Sequence, residues 1–346
     1  MNAADHEAYR PRIDAALTVF TSDKRAELAT VSPNLAGFVD AAVEFVSGGK
    51  RLRPLFCRAG WLISGGDPDD ERFDHAAASL EWLHGSALAH DDLMDGSDTR
   101  RGRPSLHRAF EDLHRSEGMR GSAEGHGAAV AILLGDLMLS WVDEQFRRSQ
   151  LPRVLEALPW LDRCKTEVAA GQYLDVLAQA HDNVGVSEAM LVVRFKSAKY
   201  TVERPLHLGA ALAGAPASLL EALSNVAIPL GEAFQLRDDV LGLFGDPGVT
   251  GKPAGDDLRE GKRTVLIARA AELGSDADRS RIDELLGSAD GIEELTDLIE
   301  RTGALAAVES DIERLERAAQ DAMSTLPPGA DDAIGPLLAK STRRSH

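Results

Sequence analysis

From Ala76 to Met94 the chain is rich in Ala and Leu and broken only by Gly85, and it closes on three carboxylates, Asp91, Asp92 and Asp95. The length and the period near 3.6 predict a long, mostly buried helix with a charged C-terminal end. Aromatic residues make up only 5% of a chain that is 44% apolar, so the core must be built from Ala, Leu and Val, which leans helical.

Helical spacing recurs in AAVAILLGDLMLSWVDEQF, LDRCKTEVAAGQYLDVLAQA, SEAMLVVRFKSAKYTVERPLHLGAAL and SNVAIPLGEAFQLRDDVLGLF, with shorter amphipathic helices from Leu286 to Met323. No composition shift or repeat divides the chain, so a single all-α domain over residues 1–346 with frayed tails is expected. A net charge of -18 argues against nucleic acid as a partner. Cys57 and Cys164 suggest neither a disulfide framework nor a thiolate metal site. Neither a signal peptide nor a membrane span is evident, so a soluble cytoplasmic protein is expected.

Asp91 and Asp95 lie one turn apart on the same helical face, while Asp92 points elsewhere. Paired aspartates are common on solvated helix surfaces. Three near a helix C-terminus, however, repel one another and oppose the dipole, which makes the arrangement unfavourable without cations. A second pair, Asp238 and Asp239, stands in FQLRDDVLGLFGD, with Gly242 where a third carboxylate would fall. If the first aspartates of both helices face one cavity, their oxygens suit magnesium. Lys50, Arg53, Arg100, Arg101, Lys196, Lys199, Lys252 and Lys262 flank the same elements. Each alone reads as an ordinary surface cation; with the aspartates they outline a site for metal-bridged diphosphates beside apolar walls. GDPGVTGKPAG lacks the Lys-Ser/Thr ending and the preceding strand of a phosphate loop. For His84 and His90 a buried, hydrogen-bonded ring is the default expectation.

GGKRLRP (48–54), HDDLMDGSDTRRGRP (90–104), GQYLD (171–175), KSAKYT (196–201), FQLRDD (234–239) and GKPAGDDLREGKRT (251–264) together resemble the all-trans polyprenyl diphosphate synthases. The resemblance implies a bundle of mostly antiparallel helices around a central cavity, the isoprenoid synthase fold, usually in a homodimer. It implies condensation of isopentenyl diphosphate with an allylic diphosphate, with three magnesium ions when diphosphate is bound. By motif position, Asp91, Asp95 and Asp238 would be direct metal ligands, supported by Asp92, Asp175, Asp239 and Asp256. Arg100, Lys196, Lys252 and Lys262 would clamp the allylic diphosphate with Ser197 nearby; Lys50, Arg53, His84 and Arg101 would form the isopentenyl diphosphate pocket. Gln172 and Gln235 would lie beside the reacting carbons.

Two departures bear on activity and product. Gly242 stands where the family usually carries a third aspartate, which should weaken the surroundings of the metals more than abolish the site. Ser86 and Ala87 fill the positions where short-chain members often carry a bulky aromatic, so the product has room to grow toward Leu83 and Trp82 deeper on the same helix. One helical turn spans about 5 Å, of the order of one isoprene unit. The expectation is geranylgeranyl diphosphate (C20), with farnesyl or C25 and longer products as alternatives. A terpene cyclase would need no Lys50 and Arg53 pocket, and a non-catalytic partner subunit finds support only in Gly242.

Overall fold

Among the described residues, turns that often carry glycine at positive φ separate the helices. The computed structural model describes residues 3–182, 184–245 and 254–342. They form an all-α fold relieved only by one two-stranded ribbon. The chain divides into two compact units, one comprising residues up to Leu158 with Leu208–Gly214, the other Pro159–His207 with the chain from Ala215 onward.

The first unit contains helices α1 (Ala3–Ala29), α2 (Ala36–Val46), α3 (Leu52–Ile63), α4 (Glu71–Met94), α5 (Leu106–Ser116) and α6 (Ala123–Arg148). Asp70 caps α4 by accepting from the Arg72 amide, and Ser122 caps α6 by accepting from Gly125 at 3.0 Å. Buried aromatics knit α1, α4 and α6: the Trp82 ring lies 5.0 Å from Trp141 and 6.0 Å from Phe20, and its indole N–H donates to Gln145 Oε1. Among the described residues α6 is the one helix long and apolar enough to cross a membrane. Its Ala131, Leu134, Met138, Val142 and Phe146 are fully buried in the protein core.

Between α4 and α5 the chain makes a hairpin, β1 (Thr99–Arg100) against β2 (Arg103–Pro104), with Arg100 opposite Arg103. Its two turn residues, Arg101 and Gly102, have φ of 53° and 74°, as a tight two-residue hairpin requires.

α7 (Val154–Gln179) runs from the first unit into the second, which continues through α8 (Val186–Val192) into a π-helix over Val193–Glu203. Then come α9 (Arg204–Ala213), whose residues from Leu208 belong to the first unit, and, in the second, α10 (Ala217–Phe244), the single turn α11 (Asp256–Arg259), α12 (Val265–Leu273), α13 (Asp276–Leu285), α14 (Ile292–Arg301), α15 (Ala304–Met323) and α16 (Ala330–Thr342). Its core joins Leu236 and Val240 of α10 to Ile267, Leu298, Val308 and Ile312.

Candidate active site

In the first unit the carboxylates close α4. The Asp95 amide donates to the Asp91 carbonyl at 2.8 Å, which keeps the two residues one helical turn apart, and both side chains are half-buried. Asp92 takes a different place: it is 0% exposed, and Arg100 Nε donates to its two oxygens at 2.7 and 2.8 Å. Burial of that charge is thus compensated by a charge-assisted pair.

The hairpin separates the adjacent arginines. Arg100 sits on the ladder and turns back to Asp92, whereas Arg101 occupies the turn and reaches the Ser47 carbonyl at 3.1 Å. The Arg101 guanidinium covers Gly49, where a β-carbon would stand 2.9 Å from Nη2. Gly48 and Gly49, with φ of 71° and 83°, bend the chain into an exposed Lys50 and then α3, whose Arg53 is half-buried. Between them Arg51, at φ 52°, is buried: Nε and Nη2 donate to Asp14 Oδ1 at 3.0 and 2.7 Å, and Nη1 donates to Glu81 and to the Val46 carbonyl. Sequence reasoning passed over this residue, because nothing local marks a cation as structural.

His84 lies within the field of these cations. Burial first, then the charges of Arg53, Arg101, Arg100 and Arg51, hold its pKa well below the ordinary histidine value, so the ring is neutral. A neutral donor ringed by guanidiniums is suited to an anion such as a diphosphate. Deeper on α4, Leu83 and Ser86 are buried and Ala87 half-buried, while Trp82 belongs to the aromatic cluster with Phe20 and Trp141.

In the second unit, Lys196 Nζ donates to buried Asp175 at 2.7 Å, tying the π-helix to α7. Gly171 allows this approach, since a β-carbon there would stand 2.3 Å from the Lys196 amide nitrogen. Gln172 and Ser197 are half-buried beside them in sequence. On α10, Gln235 Nε2 donates to Asp239 Oδ1 at 2.8 Å, and Asp238 is half-buried. Burial, then the charges of Asp257 and Asp238, push the Asp239 carboxyl well above its usual range.

Of the two aspartates in GDDLRE, the structure brings the second to this cluster. Asp257 lines a small cavity with Asp239, Gly242 and Thr264, and Lys262 Nζ lies 3.6 Å from it and 2.6 Å from Glu260. Asp256, the residue expected from sequence, instead pairs with Arg259 at 3.2 Å. Adjacent carboxylates point about 100° apart on a helical turn, and sequence does not say which one faces inward. Lys252 lies outside the described residues.

Among the described residues no three His, Cys or carboxylate side chains converge tightly enough to hold a metal by themselves. The donor set nevertheless fits magnesium. It is made of oxygen, and in the second unit three carboxylates accumulate negative charge that a hard cation would relieve.

A polyprenyl synthetase family model matches residues 37–301. The chain belongs to the polyprenyl synthetase family. It is a prenyltransferase that condenses isoprenoid units, in a family whose catalysis is typically metal-dependent. The chain is 39% identical to a geranylgeranyl pyrophosphate synthase of Corynebacterium glutamicum solved with isoprenyl diphosphate and magnesium, covering 96% of this chain and 98% of that one with a TM-score of 0.92. It is 33% identical over 284 residues to a geranylfarnesyl diphosphate synthase of Aeropyrum pernix, 81% of this chain and 85% of that one. To a (2E,6E)-farnesyl diphosphate synthase of Mycobacterium bovis it is 34% identical over 231 residues, 67% of this chain and 59% of that one. These relatives thus differ in product.

Proposed function

We propose that this prenyltransferase joins isopentenyl diphosphate head to tail, 1′-4, to an allylic diphosphate, and that its main product is the C20 geranylgeranyl diphosphate. The observation that carries the condensation reading is the cationic basin around neutral His84, present in the same unit as Asp91 and Asp95. A cyclase, which takes one diphosphate, has no use for a second anion pocket of this kind. The C20 reading rests on Ser86 and Ala87, small residues one turn before Asp91, and on the likeness to the Corynebacterium enzyme.

Asp91, Asp95 and Asp238 would hold magnesium, three ions once diphosphate is bound, with Asp92, Asp175, Asp239 and Asp257 supporting them through Arg100, Lys196, Gln235 and Lys262. Bound magnesium would neutralise the departing diphosphate. Arg100, Lys196, Lys252 and Lys262 would meet the charge that grows on the leaving oxygens, where prepositioned cations act most strongly. Lys50, Arg53, His84 and Arg101 would fix the diphosphate of isopentenyl diphosphate and so aim its double bond at the allylic carbon. Gln172 and Gln235 would turn amide dipoles to the developing cation, and apolar walls would keep water from quenching it. The departing diphosphate, held by these cations, would accept the final proton, so no aspartate would be needed as base. We read the chain as a single catalytic domain working as a cytoplasmic homodimer, on the strength of the family resemblance and of two free, buried cysteines.

Incubation with magnesium, labelled isopentenyl diphosphate and C5, C10 or C15 primers tests the reading. C20 product from each primer is expected. A cyclic product from an allylic diphosphate alone would overturn condensation, and a product ending at C15 or running past C20 would overturn the chain-length assignment.

A further inference from the structure

His90 immediately precedes Asp91, and its ring, about 30% exposed, lies against α6. A β-carbon built on Gly135 would stand 2.1 Å from His90 Nε2, 2.5 Å from Cδ2 and 2.7 Å from Cε1, so only glycine leaves room for the imidazole. The same nitrogen lies 3.3 Å from the Ile132 carbonyl oxygen, to which it can donate, and 3.7 Å from Asp136 Oδ1. Five residues earlier on α4 the relation is reversed. A β-carbon on Gly85 would stand 2.7 Å from the Met138 sulfur and 2.6 Å from Val46 Cγ1, so here α6 enters α4. Ala89 on α4 and Leu134 on α6 are both 0% exposed.

Two keys of opposite sense fix the rotation of α4 as well as its height along α6. Rotation is what the carboxylates feel. Asp91 follows His90 by about 100° of turn, at a radius of about 5 Å, so a helix turned by about 20° displaces its side chain by about 2 Å. Metal–oxygen distances tolerate about 0.2 Å.

We infer that His90, through the notch at Gly135, is a positioning residue for Asp91 and Asp95 in metal binding, neither a metal ligand nor an acid or base. The inference rests on the assignment of those aspartates as magnesium ligands. The alternative is that the ring merely packs against α6, in which case its loss lowers stability and leaves metal affinity alone.

The two are separated by a double-mutant cycle. Gly135→Ala, His90→Ala and the double variant are compared with the wild type by two readouts: melting temperature without ligand, and the magnesium concentration giving half of the melting-temperature rise seen with inorganic diphosphate. Gly135→Ala should expel the ring and raise that magnesium half-point by about tenfold, the scale seen when support behind a metal ligand is removed. His90→Ala, which introduces no clash and so guards against misfolding of the other variant, should raise it in the same direction. In the double variant the new methyl occupies space the ring has left, so its half-point should be no worse than that of His90→Ala. KM for the allylic diphosphate should rise with the half-point, and KM for isopentenyl diphosphate should rise less, since Lys50, Arg53 and Arg101 lie off α4 and only His84 of that pocket rides on it. Lower melting temperatures with an unchanged magnesium half-point, or strictly additive effects in the cycle, overturn the inference. A wild-type protein that shows no magnesium response with diphosphate and no prenyl transfer overturns the functional reading itself, and the inference with it.

Discussion

Asp257 rests against Gly242: a β-carbon built on the glycine would stand 3.4 Å from Asp257 Oδ2. The two residues, with Asp239 and Thr264, enclose a cavity of about 10 Å³, room for about one water molecule among polar partners. Gly242→Asp therefore adds a carboxylate beside two others. Without metal the variant should lose about 1–2 kcal/mol of stability through like-charge repulsion, whereas its stabilisation by magnesium with diphosphate should exceed that of the wild type. Thermal melts with and without magnesium check both signs, and an unchanged magnesium response would show that position 242 does not communicate with the metals.

Arg51 bridges Asp14 and Glu81 while holding a left-handed backbone, and both Arg51 and Glu81 are about 5% exposed or less. Removing the cation leaves Glu81 buried without its guanidinium. Arg51→Met should cost about 3–5 kcal/mol in urea unfolding, and adding Glu81→Leu should recover most of it. Recovery would mark the pair as a stability element; failure to recover would point to the backbone geometry at 51 instead.

The His207 ring is buried against Trp160 at 4.6 Å, its Nδ1 accepting from Arg204 at 3.0 Å and its Nε2 donating to the Leu220 carbonyl at 2.9 Å. Burial pushes its pKa down to about 4 from 6.5. The unfolded chain therefore binds a proton between those values that the folded protein does not. The contribution is fully present above pH 6.5 and is lost as pH falls toward 4, for a total of about 3 kcal/mol. Denaturant titrations across this window should show stability falling with acid, and His207→Gln should flatten the slope.

Ala87→Phe should shorten the main product from C20 to C15, because it places a ring one turn before Asp91, where the native side chain is small. Trp82→Ala is a different experiment. Its indole packs on Trp141 and Phe20, so truncation should cost about 3–5 kcal/mol. Longer products from Trp82→Ala would put the indole at the floor of the product channel as well; unchanged length, read by chromatography of the hydrolysed products, would leave it a core residue only.

Periodicity made the bundle legible. The Ala/Leu run of α4 could be nothing but a buried helix, and the four-residue interval between Asp91 and Asp95 survives in the fold as one turn. What sequence could not convey was decided by contacts between distant segments. Gly85 reads as a flaw in a helix until Met138 arrives beside it, and His90 reads as any buried histidine until Gly135 gives it a notch. The choice between Asp256 and Asp257 depends on the angle at which a single helical turn docks on α10, which no local pattern encodes. The hairpin between Arg100 and Arg103 likewise rests on an arginine at φ 53°, a conformation that composition would have given to glycine.

The π-helix at Val193–Glu203 makes this stretch sensitive to deletion in a way an α-helix is not. Its turns are closed by bonds such as the Arg204 amide to the Lys199 carbonyl, five residues apart, and the widened coil presses on Gly171 of α7 and Gly231 of α10. Losing one residue here would not leave a gap. The coil could shrink to ordinary α-helix with better hydrogen bonds, and the side chains within it would turn relative to those of α7 and α10. A shortened chain of this kind could fold soundly and still carry Lys196 to the wrong face, away from Asp175. Length variation in this segment would thus be read as lost chemistry, with stability intact.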